Sequence, residues 1–88
     1  MEYLLFTYPN CDKCEGFKAY LRQTGFQGVE YNLTQKDSKL KVREYLDHIR
    51  RDEYGAMVLP IFVLREKESL LGVFNTPLEV EGWLKSRA

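Results

Sequence analysis

Blocks of apolar and polar residues along the chain predict strands and helices in alternation. Tyr3–Thr7 is a continuous run of aromatic, aliphatic and β-branched residues, which predicts a buried first strand. The next apolar positions recur at i, i+3, i+4 and i+7, and they predict a helix that begins close to Cys11 and ends before Gly25. Val29–Leu33 indicates a second and weaker strand, because polar residues interrupt it.

The middle of the chain contains a second helix signal and the strongest strand signal. Asp37 or Ser38 can cap a helix whose apolar face continues as far as Ile49. Met57–Leu64 then predicts a third strand, although it contains Pro60, which has no N–H to donate to a neighbouring strand. A proline at this point needs an explanation beyond strand propensity.

The last third of the chain predicts a hairpin followed by a helix. Arg65–Glu68 is polar enough to form the turn, and Ser69–Phe74 is expected to return antiparallel to the third strand. Thr76, Pro77 and Glu79 match the N-cap, N1 and N3 positions of a helix start. The complete order is therefore β-α-β-α-β-β-α, which predicts an α/β fold.

Composition and charge are those of a globular domain without a polyanionic partner. The chain is long enough for a single domain over residues 1–88, and 44% of its residues are hydrophobic, as in ordinary globular proteins. Thirteen basic residues balance thirteen acidic residues, so no net positive field attracts nucleic acid or anionic lipid. We therefore expect neither a nucleic-acid partner nor a membrane partner.

The start of the chain lacks the basic segment and the long apolar run of a signal peptide, and no later run is long enough to cross a membrane. These features predict a cytoplasmic protein. Because the cytosol is reducing, a close pair of cysteines there is usually catalytic or metal-binding. The chain's two cysteines, Cys11 and Cys14, are therefore candidates for chemistry.

Cys11 and Cys14 lie where a predicted strand turns into a predicted helix, and this context distinguishes a redox C-x-x-C motif from a generic one. Unpaired N–H groups and the helix dipole stabilise a thiolate at a helix start, which favours Cys11 as the nucleophile. The second sulfur, one turn later, can attack a mixed disulfide on the first, so Cys14 is predicted to resolve it. Asp12 opposes the thiolate by charge repulsion, whereas Lys13 favours it.

Three features together resemble the glutaredoxin family of thioredoxin-fold proteins, over nearly the full chain. They are the segment Tyr8–Cys14 after the first strand, the segment Val58–Pro60, and Gly72 before the last helix. The resemblance implies a four-stranded mixed sheet in the order 2-1-3-4, with helices on both faces. It also implies a cis peptide bond before Pro60, beside the active-site cysteine, with Leu59 offering its backbone to an extended thiol substrate. This would explain why Pro60 is tolerated within a strand.

The resemblance further implies a thiol–disulfide oxidoreductase that reduces protein or glutathione mixed disulfides. It implies no bound cofactor, glutathione as a co-substrate, and a glutathione or thioredoxin reductase system as the source of electrons. The protein is expected to act as a monomer. The family carries a basic residue at the position of Tyr8, and Lys13 can replace that cation toward a glutathione carboxylate. The residues expected to be catalytic are Cys11 and Cys14, and those expected to bind substrate are Tyr8, Lys13, Leu59, Pro60 and Gly72.

Other uses of the same cysteines stay open. Two thiolates at this spacing are half of a zinc site, and a dimer or glutathione would have to supply the remaining ligands of a metal or iron–sulfur carrier. The single histidine, His48, is expected at the surface, and no metal ligand is assigned. A permanent structural disulfide is another use. A separate alternative, which does not depend on the cysteines, is a non-catalytic thioredoxin-fold module that docks a partner at Pro60.

Overall fold

The computed structural model describes residues 1–87, in which four strands, three α-helices and one 3₁₀-helix follow one another. This order agrees with the β-α-β-α-β-β-α order expected from the sequence, with the 3₁₀-helix added after the second α-helix. No helix in this part of the chain is both long and apolar enough to cross a membrane. The elements are β1 (Glu2–Thr7), α1 (Asp12–Arg22), β2 (Gln27–Asn32), α2 (Lys36–Val42), the 3₁₀-helix (Arg43–His48), β3 (Ile61–Glu66), β4 (Ser69–Phe74) and α3 (Pro77–Arg87).

The four strands form one mixed sheet in the order β2-β1-β3-β4, as expected. β1 runs parallel to β2 and antiparallel to β3, and β4 pairs antiparallel with β3. The two central strands, β1 and β3, carry nearly continuous apolar runs because both faces of the sheet are covered. The protein therefore has an α/β architecture with a four-stranded mixed sheet.

Two hydrophobic clusters lie on opposite faces of the sheet. Leu4 and Phe6 of β1 belong to the cluster under α2 and the 3₁₀-helix, whereas Leu5 belongs to the cluster under α1 and α3. This division follows from the strand geometry, which directs successive side chains to opposite faces. Under α1, the rings of Phe17 and Phe62 stack with centroids 4.9 Å apart. This contact fixes α1 against the central strand β3.

Both ends of β3 differ from the sequence-based prediction. The strand does not include Met57–Pro60: it begins at Ile61, directly after the proline, because a residue without an N–H cannot join the ladder. At the other end β3 continues through Arg65–Glu66, so the hairpin turn consists only of Lys67 and Glu68. Lys67 adopts a φ of 56°, the left-handed conformation that tight two-residue turns require.

The second helix also differs from the prediction. It begins at Lys36 after Gln35, whose side chain makes no capping bond, so neither Asp37 nor Ser38 is the cap. Ser38 is the third residue of the helix, past the cap position, and is buried. The α-helix ends at Val42 and continues as the 3₁₀-helix, which has about three residues per turn. The single predicted helix is therefore two shorter ones of different period.

The start of α3 is as predicted. The Glu79 N–H donates to Thr76 Oγ1 at 3.2 Å, and the Thr76 N–H donates to Glu79 Oε1 at 3.0 Å, which is a capping box. Arg50 donates to the other oxygen of Glu79 at 2.8 Å. Burial raises the pKa of Glu79, but the N–H of Asn75, the Arg50 guanidinium and the Thr76 N–H together lower it below its ordinary value.

Candidate functional site

The two cysteines lie where β1 ends and α1 begins, as predicted. Cys11 occupies the N-cap position of α1 in an extended conformation, and its Sγ accepts a hydrogen bond from the Cys14 N–H at 3.0 Å. The preceding residue, Asn10, has a φ of 59°, a left-handed conformation that asparagine adopts more readily than most residues. The two sulfurs are joined in a disulfide, and the Cα atoms are 5.2 Å apart.

The two cysteines differ in exposure. Cys11 is partly exposed, whereas Cys14 is only 2% exposed. Of the two cysteines, Cys11 is therefore the one more open to a disulfide that approaches from solution. This asymmetry agrees with the roles that the sequence predicts for the two residues.

An acidic cleft of about 310 Å³ borders the cysteines, and we call it the dithiol cleft. Glu30 of β2 lines this cleft. Its carboxylate accepts a hydrogen bond from Thr7 Oγ1 at 2.7 Å and lies 3.5 Å from the Lys18 ammonium. The hydrogen bond from Lys18 to Glu15 is the main cause that raises the pKa of Lys18, against the opposing effect of burial. The lining residues are Thr7, Tyr8, Pro9, Asn10, Cys11, Asp12, Cys14, Glu15, Lys18, Glu30 and Asn32.

The loop that precedes β3 lies at the same end of the sheet as the cysteines. Phe6 pairs with Ile61, so Pro60 comes next in register to Thr7, at the end of β1. The peptide bond between Leu59 and Pro60 is cis, as the resemblance implies. Pro60 is buried and Leu59 is half-buried.

Asn75 holds this loop in place from the segment between β4 and α3. Its side-chain Nδ2 donates to the carbonyl oxygen of Val58 at 2.8 Å and to that of Pro60 at 3.0 Å. The two bonds bracket Leu59, and Asn75 itself is only 7% exposed. Within residues 1–87, no hydrogen bond uses the backbone N–H or C=O of Leu59. Both groups are therefore available to a bound chain.

A second cleft, which we call the apolar groove, has a volume of about 420 Å³ and also includes Tyr8 in its lining. Three cationic side chains line the groove together with its apolar side chains. Two of the apolar residues are unusually open to solvent, since Tyr8 is 52% and Leu46 is 41% exposed. The lining residues are Tyr8, Leu33, Lys39, Val42, Arg43, Leu46, Arg51, Met57 and Leu59.

Three of the residues expected to bind substrate lie at the cysteine end of the sheet. Tyr8 lines both clefts and Leu59 lines the apolar groove. Pro60 follows Leu59 in the chain and is buried. Lys13 is exposed in the first turn of α1 and lines neither cleft.

Gly72, also expected to bind substrate, lies away from the cysteines. It pairs with Leu64, which pairs in turn with Tyr3, roughly 13 Å along β1 from its final residue. A Cβ atom at Gly72 would lie 2.6 Å from the ring of Phe74, so the absent side chain leaves room for that ring. The structure thus gives Gly72 a packing role and does not bring it to either cleft.

Sequence reasoning missed Asn75 and Glu30. Asn75 is one short polar residue in a turn, where asparagine is common for local reasons, and its contact with the proline loop is not visible in the sequence. Glu30 was an interruption of a weak strand, and its contact with Thr7 depends on the parallel pairing of β1 and β2. The only sequence signal for Glu30 was that a carboxylate lies in β2, the strand that pairs with β1, and β1 leads to the cysteines.

Residues 1–87 contain no group of three or more His, Cys, Asp and Glu side chains that could hold a metal ion. His48 is exposed at the end of the 3₁₀-helix.

No protein-family model, curated protein or solved structure matches this chain. The structure itself establishes the α/β fold, with its four-stranded mixed sheet and three α-helices.

Proposed function

We propose that this protein is a thiol–disulfide oxidoreductase with a thioredoxin fold, similar to the glutaredoxins, and that Cys11 and Cys14 are its redox pair. The observation that carries the proposal is the asymmetric pair at the start of α1, with Cys11 partly exposed at the N-cap and Cys14 buried one turn later. The strand order and the coverage of both sheet faces by helices support the finer assignment of the fold.

In the first step, the thiolate of Cys11 attacks one sulfur of a substrate disulfide. The substrate S–S bond breaks, one substrate sulfur leaves as a thiolate that takes a proton from water, and the other forms a mixed disulfide with Cys11. The Cys14 N–H, 3.0 Å from Cys11 Sγ, stabilises negative charge on that sulfur. Cys11 is therefore the nucleophile.

In the second step, the thiolate of Cys14 attacks Cys11 Sγ in the mixed disulfide. The bond between Cys11 and the substrate breaks, the Cys11–Cys14 disulfide forms, and the second substrate sulfur leaves as a thiolate, which takes a proton equivalent to the one that the Cys14 thiol released. Two electrons have then passed from the cysteine pair to the substrate. In the disulfide form the Cα atoms of Cys11 and Cys14 are 5.2 Å apart, within the range that a disulfide requires.

Two molecules of glutathione, or a thioredoxin reductase system, return the pair to the dithiol. Glutathione leaves as glutathione disulfide, which balances the two electrons. The cycle requires no bound cofactor, and one copy of the chain contains both sulfurs. The partners are disulfide-containing proteins or glutathione.

Leu59 and Tyr8 are proposed to position the substrate. The unused backbone N–H and C=O of Leu59 can pair with an extended chain, as an added strand does at a sheet edge. Tyr8 adjoins the cysteine motif and separates the dithiol cleft from the apolar groove. Lys13, exposed in the first turn of α1, is the cation available to a glutathione carboxylate.

The test is turnover of a small neutral disulfide, 2-hydroxyethyl disulfide, with glutathione, glutathione reductase and NADPH as the source of electrons. The wild-type protein should accelerate NADPH consumption, and Cys11→Ser should abolish the acceleration because no other nucleophilic sulfur is exposed. Cys14→Ser keeps the nucleophile but lacks the resolving thiol, so a mixed disulfide should persist on Cys11 once glutathione has been removed. Circular dichroism of each variant verifies that it is folded. Full turnover by a folded Cys11→Ser variant would refute the assigned nucleophile.

A further inference from the structure

The cations of the apolar groove form a local excess of positive charge. Lys39 and Arg43 lie four residues apart, at the end of α2 and the start of the 3₁₀-helix, so they project from one side. Arg51, from the segment after the 3₁₀-helix, is the third cation. No carboxylate from residues 1–87 lines the groove, although the whole chain has no net charge.

None of these three cations forms an ion pair within residues 1–87. The ion pairs there use Lys18, Lys41 and Arg50, and none uses a cation of the apolar groove. Arg51 donates one N–H to the carbonyl oxygen of Gly55 at 2.8 Å, which orients its guanidinium and leaves the remaining N–H groups for a partner. The three cations of the groove can therefore bind an anionic group of a partner.

The apolar part of the groove offers exposed surface on which a side chain of another molecule can pack. Val42 and Leu33 are buried beneath it, while Leu46 and Tyr8 expose large apolar surfaces beside them. An open apolar surface next to unpaired charges typically marks an interaction site. A volume of about 420 Å³ falls within the range of clefts that hold a small ligand, which suits one or two side chains.

The groove adjoins the proposed redox site at Tyr8. Tyr8 contributes to both clefts, and Leu59, with its free backbone groups, contributes to the apolar groove. An extended chain whose cystine meets Cys11 would pass Leu59 and place its neighbouring side chains in the groove.

We propose that the apolar groove selects protein disulfides whose cysteine is followed or preceded by apolar and acidic side chains. The apolar side chain packs on Tyr8 and Leu46, and the carboxylate faces Lys39 and Arg43. This inference rests on the proposed function, because it assigns the substrates of the same cysteine pair. Charge complementarity favours an acidic segment over a second copy of this neutral chain.

The test compares two synthetic substrates, each a symmetrical disulfide of a short peptide with one cysteine. In one peptide leucine and glutamate flank the cysteine, and in the other leucine and lysine do. Wild-type protein should reduce the glutamate peptide with a kcat/KM about tenfold higher, since rim charges act mainly on encounter and binding. The double variant Lys39→Glu/Arg43→Glu should remove or reverse this preference.

Two controls separate the inference from the proposed function. The double variant Lys36→Glu/Lys85→Glu makes the same change of charge at exposed positions outside the groove, and it should keep the wild-type preference. The neutral 2-hydroxyethyl disulfide should be reduced equally by all three proteins. If that disulfide is turned over but wild type does not discriminate between the peptides, or the groove variant keeps the preference, the groove inference is wrong. If wild type does not reduce that disulfide at all, the proposed function is wrong and this inference falls with it.

Discussion

The dithiol cleft and the apolar groove are neighbours with opposite character. Both include Tyr8, yet the dithiol cleft carries the carboxylates of Asp12, Glu15 and Glu30 against one ammonium, whereas the apolar groove carries cations alone. An anionic segment would be repelled by the first and held by the second. In the proposed function, sulfur chemistry and substrate recognition are divided between these two adjoining surfaces.

The two regions also differ in what supports them. The dithiol cleft is built on the end of β1 and the start of α1, which the stacked rings of Phe17 and Phe62 hold against the sheet. The apolar groove depends on a loop without regular structure, which Asn75 holds through two hydrogen bonds. Substitutions that loosen the loop should therefore affect the groove more than the cysteines.

The largest expected effect is that of Asn75→Ala. The change leaves the carbonyl oxygens of Val58 and Pro60 without their donor, and the free energy of unfolding should fall by about 2 to 3 kcal/mol. Urea denaturation measures this loss. Asn32→Ala is the matched control, because Asn32 accepts only exposed hydrogen bonds from Thr34 and should cost less than about 1 kcal/mol. Equal losses in the two variants would contradict the bracing role of Asn75.

The next effect is that of Tyr8→Ala, which removes the aromatic side chain that lines both clefts. We expect kcat/KM for the peptide with leucine and glutamate to fall about tenfold, because a large aromatic contact is lost. Turnover of 2-hydroxyethyl disulfide should change less, since that substrate is too small to fill the groove. Tyr8→Phe keeps the ring and should behave as wild type. Equal losses for both substrates in Tyr8→Ala would contradict the division between the two surfaces.

A smaller effect is expected inside the dithiol cleft from Thr7→Val. Thr7 is buried, and its hydroxyl donates to Glu30 at 2.7 Å, so the isosteric change should lower the free energy of unfolding by about 1 kcal/mol. Thr7→Ser keeps the hydroxyl and serves as the control for the hydrogen bond. The preference between the two peptides should stay as in wild type, because the apolar groove is untouched. A changed preference would mean that the two clefts act as one.

The smallest effect concerns Glu79, which caps α3 and also accepts from the Asn75 N–H at 2.9 Å. Its pKa is lowered in the folded protein, so its contribution to stability is present above its ordinary pKa and is lost as the pH falls through the folded value. Glu79→Gln should therefore be less stable by about 0.5 kcal/mol at pH 7, and the difference should shrink below about pH 4. Unfolding curves across this pH range measure it. A difference that grows as the pH falls would contradict the assigned cause.

The order of the elements along the chain and the position of the cysteines could be predicted from the sequence, because each rests on short-range signals. The strand order of the sheet was expected only from the resemblance to glutaredoxins. The apolar run before Pro9 marks β1, and the capping pattern of Thr76, Pro77 and Glu79 marks α3. The limits of β3 were wrong because Pro60 ends the ladder sooner than hydrophobicity indicates.

The apolar groove and its brace could not be predicted because both depend on contacts between distant segments. Lys39 and Arg51 belong to different segments and are brought to one surface only by packing of the 3₁₀-helix on the sheet. Asn75 lies 17 residues from Val58, to which it donates. Gly72 was assigned to substrate binding, but its pairing in β4 places it away from both clefts.

The most direct test of the central claim is a redox titration of the cysteine pair. The protein is equilibrated in a series of glutathione redox buffers, free thiols are blocked, and the intact mass is read for wild type and for Cys14→Ser. A reversible two-electron transition between the dithiol and the Cys11–Cys14 disulfide is predicted, with a glutathione adduct trapped on Cys11 in the variant. A pair that stays reduced throughout the series, or that carries a metal ion, would contradict the oxidoreductase assignment.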